Sequence, residues 1–140
     1  RLDEVSSVFS VPSRISSTFE GNLVDMMRCE RIIQIIVEDQ LLANTAKMGE
    51  VFLSKLQELA SLYPQLTALR GRGSFAAFDL PTTQERDALL KACFAEELLV
   101  LPAGTRSIRM RTALDISADA ILRGAAQLEA AIKRAYAPHA

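Results

Sequence analysis

The hydrophobic pattern of the chain changes at Pro64, and this change restricts the fold more than any other sequence feature. Before Pro64, apolar residues recur with the spacing of amphipathic helices, over 23–37 and again from Leu41. After Pro64, short segments of strand-type residues alternate with two further helical patterns. The predicted order is helix, helix, strand, helix, strand, strand, helix. It indicates an α+β fold, an α/β sandwich with one small sheet.

Local signals predict where the helices begin and end. Asn22 and Ser117 are expected N-caps, Thr82 and Glu85 form a capping box, and Pro64 ends the second helix. The first helix is expected to bury one broad apolar face. The residues expected to face inward on the last two helices are Leu89, Leu90, Cys93 and Phe94, and then Ile121, Leu122, Ala125, Leu128 and Ile132.

The strand-type segments carry the glycines and arginines of the second half. Residues 67–80 predict a strand interrupted by Gly71 and Gly73, where the backbone bends or approaches a neighbour closely. Residues 98–101 and 107–113 predict two more strands. Residues 5–19 are expected to be irregular, because Pro12 cannot lie inside a helix, and the tail 136–140 is expected to be frayed.

Composition excludes several functions. The net charge is −1, so the chain has no strong positive electrostatic field that would attract nucleic acid or anionic lipid. No apolar run approaches the ~20 residues that span a bilayer. Cys29 and Cys93 are interpreted as buried, reduced thiols of a cytoplasmic protein, with a disulfide or metal site as the lesser alternative. His139 is the only histidine, so no metal site and no catalytic dyad based on histidine is expected.

Three short segments could carry chemistry, each with a purely structural alternative. The hydroxyls and backbone N–H groups of 16–22 suit a phosphate, or are turn and cap residues. The arginines of 70–73 suit an anion, or the glycines there only set strand geometry. In 108–111, Arg109 and Arg111 share one side of a strand. They could offer a fork to a carboxylate, or protect a sheet edge from aggregation.

None of the four lysines is predicted to form a Schiff base, because all of them lie at helix positions that look solvated. They are Lys47, Lys55, Lys91 and Lys133. No residue of this chain is therefore predicted to be catalytic. The chain begins at Arg1 without a methionine, and its opening segment is typical of the middle of a protein. We therefore expect a fragment.

Taken together, the three segments resemble class III aminotransferases that use pyridoxal 5'-phosphate (PLP). SSTFEGNLVDMM is similar to the family's Ser-Thr-aromatic-Gly-Gly-Asn run before a long helix, and RGRGSFAAFDL to its Arg-Gly-x-Gly strand. LLVLPAGTRSIRMRTALDIS is similar to its closing strand pair and helix. The phrases VFSVPSRISST, GNLVDMMR and FDLPTTQERD resemble the lysine 6-aminotransferase subfamily in particular.

The resemblance implies a C-terminal fragment of a fold-type I homodimer with PLP as cofactor. It implies that residues 1–40 end the large PLP-binding domain, that 41–140 form the small domain, and that the catalytic lysine lies upstream of Arg1. It matches Thr18, with Ser17 beside it, to the PLP phosphate of the partner subunit, and Arg109 to a substrate carboxylate. Amino-acid and 2-oxo-acid substrates are implied, without nucleic acid or membrane.

The implied reaction moves the ε-amino group of L-lysine to 2-oxoglutarate, giving glutamate and 2-aminoadipate 6-semialdehyde. Arg70, Arg72 and Arg111 match family positions without an assigned ligand. Glu20 replaces the first glycine of the usual pair and is expected to point to solvent, and Thr112 and Ala113 replace a proline pair. The alternatives are another ω-aminotransferase, for ornithine, 4-aminobutyrate or diaminobutyrate, and a non-catalytic α+β binding or assembly module.

Overall fold

The computed structural model describes residues 10–14 and 16–136. It contains the helices α1 (Leu23–Glu38), α2 (Leu41–Leu62), α3 (Thr83–Ala95) and α4 (Ala118–Ala135), and the strands β1 (Thr67–Arg72), β2 (Phe75–Asp79), β3 (Leu101–Ala103) and β4 (Ser107–Arg111). The predicted frayed tail after Tyr136 and residues 5–9 and 15 of the predicted irregular segment 5–19 lie outside the described residues. The rest of that segment, 10–14 and 16–19, contains no α-helix and no strand, as predicted.

The chain divides into two compact units, Arg1–Glu38 and Asp39–Ala140. The first contains α1, whose N-terminus is capped as predicted: the Asn22 side-chain oxygen accepts from the backbone N–H of Val24 at 2.9 Å. No residue of α1 is buried, so the predicted burial of its apolar face is not seen. Cys29 is exposed with the rest of this helix, and its predicted burial is wrong.

The second unit is a sandwich of one antiparallel sheet and the helices α2, α3 and α4. The strand order is β1-β2-β4-β3. Side chains alternate between the two faces of each strand, so Ala76, Phe78, Ile108 and Met110 are buried while their neighbours face outward. The α+β class and the single small sheet are thereby confirmed.

Helix boundaries after residue 39 follow the predicted signals. Thr82 caps α3 with Glu85 as its partner, as predicted: the Glu85 N–H donates to the Thr82 hydroxyl at 3.1 Å. The Glu85 carboxylate accepts from that hydroxyl at 2.8 Å, in place of the Thr82 N–H that a complete capping box would use. The Ser117 hydroxyl accepts from the Ala120 N–H at 3.3 Å. Helix α2 ends at Leu62, just before Pro64.

Three predictions about this unit are wrong. Residues 67–80 form two strands, because Gly73 has a φ of 56° and allows a tight hairpin turn between β1 and β2. The third strand occupies Leu101–Ala103, three residues later than expected, because these residues pair with β4. Phe94 and Leu122 are exposed: each follows a buried residue, Cys93 or Ile121, and a helix turns by about 100° per residue.

Candidate functional site

Strand β4 presents two arginines on the sheet face that the helices leave open. Ile108 and Met110 are 0% and 9% exposed and fix the other face of the strand in the core. Arg109 and Arg111 are exposed, as the alternation predicted. Burial of Ile108 and Met110 fixes the strand, and with it the points on the open face from which Arg109 and Arg111 project.

Small and aliphatic residues flank Arg109 across the sheet. Ala77 of β2 lies opposite it on one side, and Leu101 of β3 on the other. Directly opposed residues of antiparallel strands share a face, so these side chains are its immediate neighbours. Within 10–14 and 16–136, no carboxylate forms an ion pair with Arg109. Its five N–H donors remain available to an anion.

A cleft of about 270 Å³ lies where β3 and β4 diverge. It is lined by Leu99, Val100, Leu101, Arg109, Met110 and Arg111. The cleft thus combines two guanidinium groups with aliphatic walls. This composition suits a small organic acid, whose carboxylate needs a cation and whose methylenes need apolar contacts.

A network around Asp79 occupies the same face and was not foreseen from the sequence. One Asp79 oxygen accepts from the Ser107 hydroxyl at 2.6 Å and from Arg70 at 2.9 Å. Arg70 also donates to Ser107 at 3.1 Å and to the Ala68 carbonyl at 2.7 Å. The bond from Ser107, followed by that from Arg70, lowers the pKa of Asp79 below its ordinary value of 3.8.

This network gives Arg70 a structural role. The structural alternative for 70–73 expected both arginines to be solvated, and for Arg70 that expectation is wrong, because its guanidinium is bound within the fold. Arg106 adds a longer contact to Asp79, at 3.9 Å. The strand register explains why the partners meet, because Asp79 lies directly opposite Ser107. Which residues face each other across strands depends on the order of strands in the sheet, so no local sequence pattern predicted the contact between Asp79 and Ser107.

The turn after β4 is held by hydrogen bonds. The Thr112 N–H donates to the Ser74 carbonyl at 3.0 Å, a bond that proline cannot make. The Leu114 carbonyl accepts from the side chains of Asn44 at 2.8 Å and Thr45 at 3.3 Å, both on α2. Thr112, which departs from the family's proline pair, is thus fixed in place by its backbone.

The candidate phosphate segment lies in the first unit. Ser17 and Thr18 are exposed, and their hydroxyls have no hydrogen-bond partner among the described residues. Glu20 is exposed, yet its carboxylate turns back along the chain, accepting from the Ser16 hydroxyl at 2.8 Å and from the Ser17 N–H at 3.3 Å. The two hydroxyls suit a phosphate, whereas the Ser17 N–H is already taken by an anion.

The lysines behave as their patterns predicted. None of Lys47, Lys55, Lys91 and Lys133 is buried. Lys55 pairs with Glu58 and Lys133 with Glu129, each at 2.7 Å. In the described ranges, no cluster of three or more His, Cys, Asp or Glu residues could hold a metal ion. Over the same residues, no helix has the length and apolar character needed to cross a membrane.

The sequence matches one family model and a set of curated relatives. The model described as aminotransferase class-III matches residues 1–132. The chain is 42% identical over 119 residues to the L-lysine-epsilon aminotransferase of Mycobacterium tuberculosis strain H37Rv, covering 84% of this chain and 26% of that protein. It is 34% identical over 106 residues to the mitochondrial 4-aminobutyrate aminotransferase of Sus scrofa, covering 75% and 21%. The chain thus spans about a quarter of the length of these relatives.

Solved structures agree with this comparison. A lysine aminotransferase from M. tuberculosis superposes with a TM-score of 0.83 at 38% identity, covering 92% of this chain and 30% of that one. Acetylornithine aminotransferase from Elizabethkingia anophelis gives a TM-score of 0.68 at 23% identity, covering 71% and 27%. The second likeness concerns the fold alone.

Proposed function

This chain belongs to the class III aminotransferases, and on that premise we propose that it is the C-terminal part of an enzyme that moves the ε-amino group of L-lysine to 2-oxoglutarate. The products are glutamate and 2-aminoadipate 6-semialdehyde. The identity of 42% to proteins named L-lysine-epsilon aminotransferase supports this choice of amino donor.

The observation that carries the proposal is the position of Arg109. Its guanidinium is exposed on the open sheet face and has no carboxylate partner in the described part of the chain. A planar fork binds a carboxylate through two parallel N–H···O bonds, which fixes orientation as well as charge. Arg109 therefore binds a carboxylate of the keto acid and orients it for amino transfer.

The residues proposed to hold the cofactor are Thr18 and Ser17. Family members depend on PLP, which serves as an electron sink when the amino group is transferred. The two free hydroxyls would donate to its phosphate, in the partner subunit of a homodimer. Glu20 opposes this binding unless it turns away, because its carboxylate lies at Ser16 and Ser17.

The chain contributes binding groups and relies on other polypeptide for the catalytic lysine. Its lysines are surface residues, two of them in ion pairs. We assign residues 1–40 to the end of the large domain and 41–140 to the small domain. The exposed apolar residues of α1, among them Leu23, Met27 and Ile33, then pack on the large domain or the partner subunit. A cytoplasmic location remains part of the proposal.

The test is substitution of Arg109 in the complete cofactor-loaded protein. Arg109→Ala should reduce kcat/KM for 2-oxoglutarate by about 2–5 kcal/mol in transition-state free energy, as truncation of one member of a sheltered charge pair does. Arg109→Lys keeps the charge and loses the fork, so it should recover only part of the loss. The matched control is Arg123→Ala, which removes an exposed guanidinium from α4. Equal kinetics for Arg109→Ala and the parent would show that Arg109 does not bind the keto acid.

A second donor is favoured by one observation, the 34% identity to 4-aminobutyrate aminotransferase. Rates with L-lysine, L-ornithine, 4-aminobutyrate and 2,4-diaminobutyrate at equal concentration separate the two readings. A higher kcat/KM for 4-aminobutyrate than for L-lysine would show that 4-aminobutyrate, and not L-lysine, is the preferred amino donor.

A further inference from the structure

The Glu20 carboxylate is bound back onto the candidate phosphate segment, residues 16–22. Its Oε2 atom accepts from the Ser16 hydroxyl at 2.8 Å and from the Ser17 N–H at 3.3 Å. The backbone closes the turn that brings it there, because the Glu20 N–H donates to the Ser17 carbonyl at 3.2 Å. One anionic oxygen therefore takes two of the donors that this segment offers.

These donors are of the kind that binds phosphate. Hydroxyl and backbone N–H groups of a turn bind phosphate oxygens, and a carboxylate oxygen is an anionic acceptor of the same type. Glu20 thus presents to Ser16 and Ser17 what a phosphate would present. The hydroxyls of Ser17 and Thr18 are left without a partner among the described residues.

The backbone does not require a glycine at position 20. Glu20 has no positive φ, whereas Gly21 has a φ of 71°. The turn therefore needs only the second glycine of the family's pair, and the chain keeps it. The exchange at position 20 leaves the turn intact and acts through the carboxylate that it adds.

The charge of Glu20 is not balanced by its surroundings. Glu20 is exposed, and no basic side chain within 10–14 and 16–136 forms an ion pair with it. A phosphate that approaches Ser16 and Ser17 meets donors already in use and a like charge beside them. Water competes for hydrogen bonds between exposed groups, so a phosphate can displace the carboxylate, at a cost in affinity.

We propose that the Glu20 carboxylate is an internal competitor of the cofactor phosphate, an autoinhibitory contact that lowers the affinity of the complete protein for PLP. This inference rests on the proposed function, because Thr18 and Ser17 must bind that phosphate. Glu20 leaves Ser16 and Ser17 when PLP binds and returns to them when PLP dissociates.

The experiment measures the Kd of PLP for the complete protein freed of cofactor, by fluorescence titration in phosphate-free buffer. Glu20→Gln keeps an acceptor of the same size and removes the charge, so it should lower the Kd about three- to tenfold. Glu20→Ala also frees the two donors and should lower the Kd at least as much. Pyridoxal has no phosphate, and its Kd should change less than about twofold in either variant.

Salt supplies a second measurement that a merely structural role of Glu20 would not affect. The gain from Glu20→Gln should be largest at about 0.05 M NaCl and should nearly vanish at about 1 M, where repulsion between exposed charges is screened. The matched control is Glu30→Gln, which removes the same charge from an exposed position on α1 and should leave the Kd of PLP within about twofold.

The outcomes separate this inference from the proposed function. If Glu20→Gln leaves the Kd of PLP unchanged, or tightens pyridoxal equally, the competition is overturned, while weaker PLP binding by Thr18→Ala still supports the phosphate role. If Thr18→Ala and Ser17→Ala both bind PLP as the parent does, the proposed cofactor role of this segment fails first.

Discussion

Gly49 of α2 packs directly against Gly73 in the β1–β2 turn. A Cβ atom built on Gly49 would lie 2.6 Å from the Gly73 carbonyl oxygen and 2.7 Å from its Cα. Gly73 itself has a φ of 56°, a backbone conformation that residues with a side chain rarely adopt. A close backbone approach was predicted at Gly71 and Gly73, and both positions show one. The contact with Gly49 is the one at Gly73, and a Cβ atom built on Gly71 would lie 2.6 Å from the Phe75 carbonyl oxygen.

Gly49→Ala should therefore lower the stability of the second unit. The added methyl group meets backbone atoms that cannot rotate aside, so helix and hairpin must separate, at a cost of about 1–3 kcal/mol. The measurement is the free energy of unfolding in urea. The control is Gly124→Ala on α4, where the nearest heavy atom to a new Cβ is a Leu98 methyl at 3.9 Å. Equal stability of the Gly49 variant and the parent would contradict the contact.

Asp79→Asn should cost stability in a pH-dependent way. The pKa of Asp79 is lowered in the folded state, so its contribution is present above the ordinary value of 3.8 and is lost as the pH falls through the folded value. At pH 7 we expect a loss of about 1–2 kcal/mol, because bonds from Ser107 and Arg70 weaken. Urea unfolding of parent and variant at pH 7 and pH 3 measures it. A difference that does not shrink at pH 3 would contradict the assignment.

Thr18→Ala should lower the affinity of the complete protein for PLP more than it lowers the rate of the chemical step. The hydroxyl of Thr18 is free among the described residues and is proposed to donate to phosphate. Losing one bond to a charged group should raise the Kd of the cofactor about tenfold. Absorbance during dialysis against PLP-free buffer reports retention, with Ser54→Ala, which removes an exposed hydroxyl from α2, as control. Equal retention in variant and parent would count against the phosphate role.

Cys93 should resist alkylation in the folded protein. Burial raises the pKa of its thiol to about 11, so almost no thiolate exists at pH 7.5, and the side chain is fully inaccessible. Iodoacetamide labelling followed by peptide mass spectrometry should find Cys93 unmodified until denaturant is added. Rapid modification under native conditions would show that the α3 packing opens.

Features set by neighbouring residues were predictable from the sequence. The cap that Thr82 and Glu85 form, the cap at Ser117 and the end of α2 before Pro64 each depend on a few consecutive residues. The alternation that exposes Arg109 is equally local, and resemblance to a family then gave that residue a role.

Features set by strand pairing were not predictable in this way. The Asp79–Ser107 bond joins residues 28 apart, and the contact of Arg111 with Phe75 depends on β2 lying beside β4. The position of β3 was missed for the same reason, because its three residues become a strand only by pairing with β4. A side chain such as Phe94 also depends on which helix face meets the core.

The hydrogen bond from Thr112 to Ser74 has a consequence for how this protein tolerates change. A proline pair stiffens a turn through covalent rings, whatever its surroundings do. Here the same stretch is tied to the tip of a hairpin and to α2. A substitution that shifts the hairpin or α2 should therefore also shift the end of β4. The position of Arg111 thus depends on residues far from it in sequence, a dependence that a proline pair would reduce.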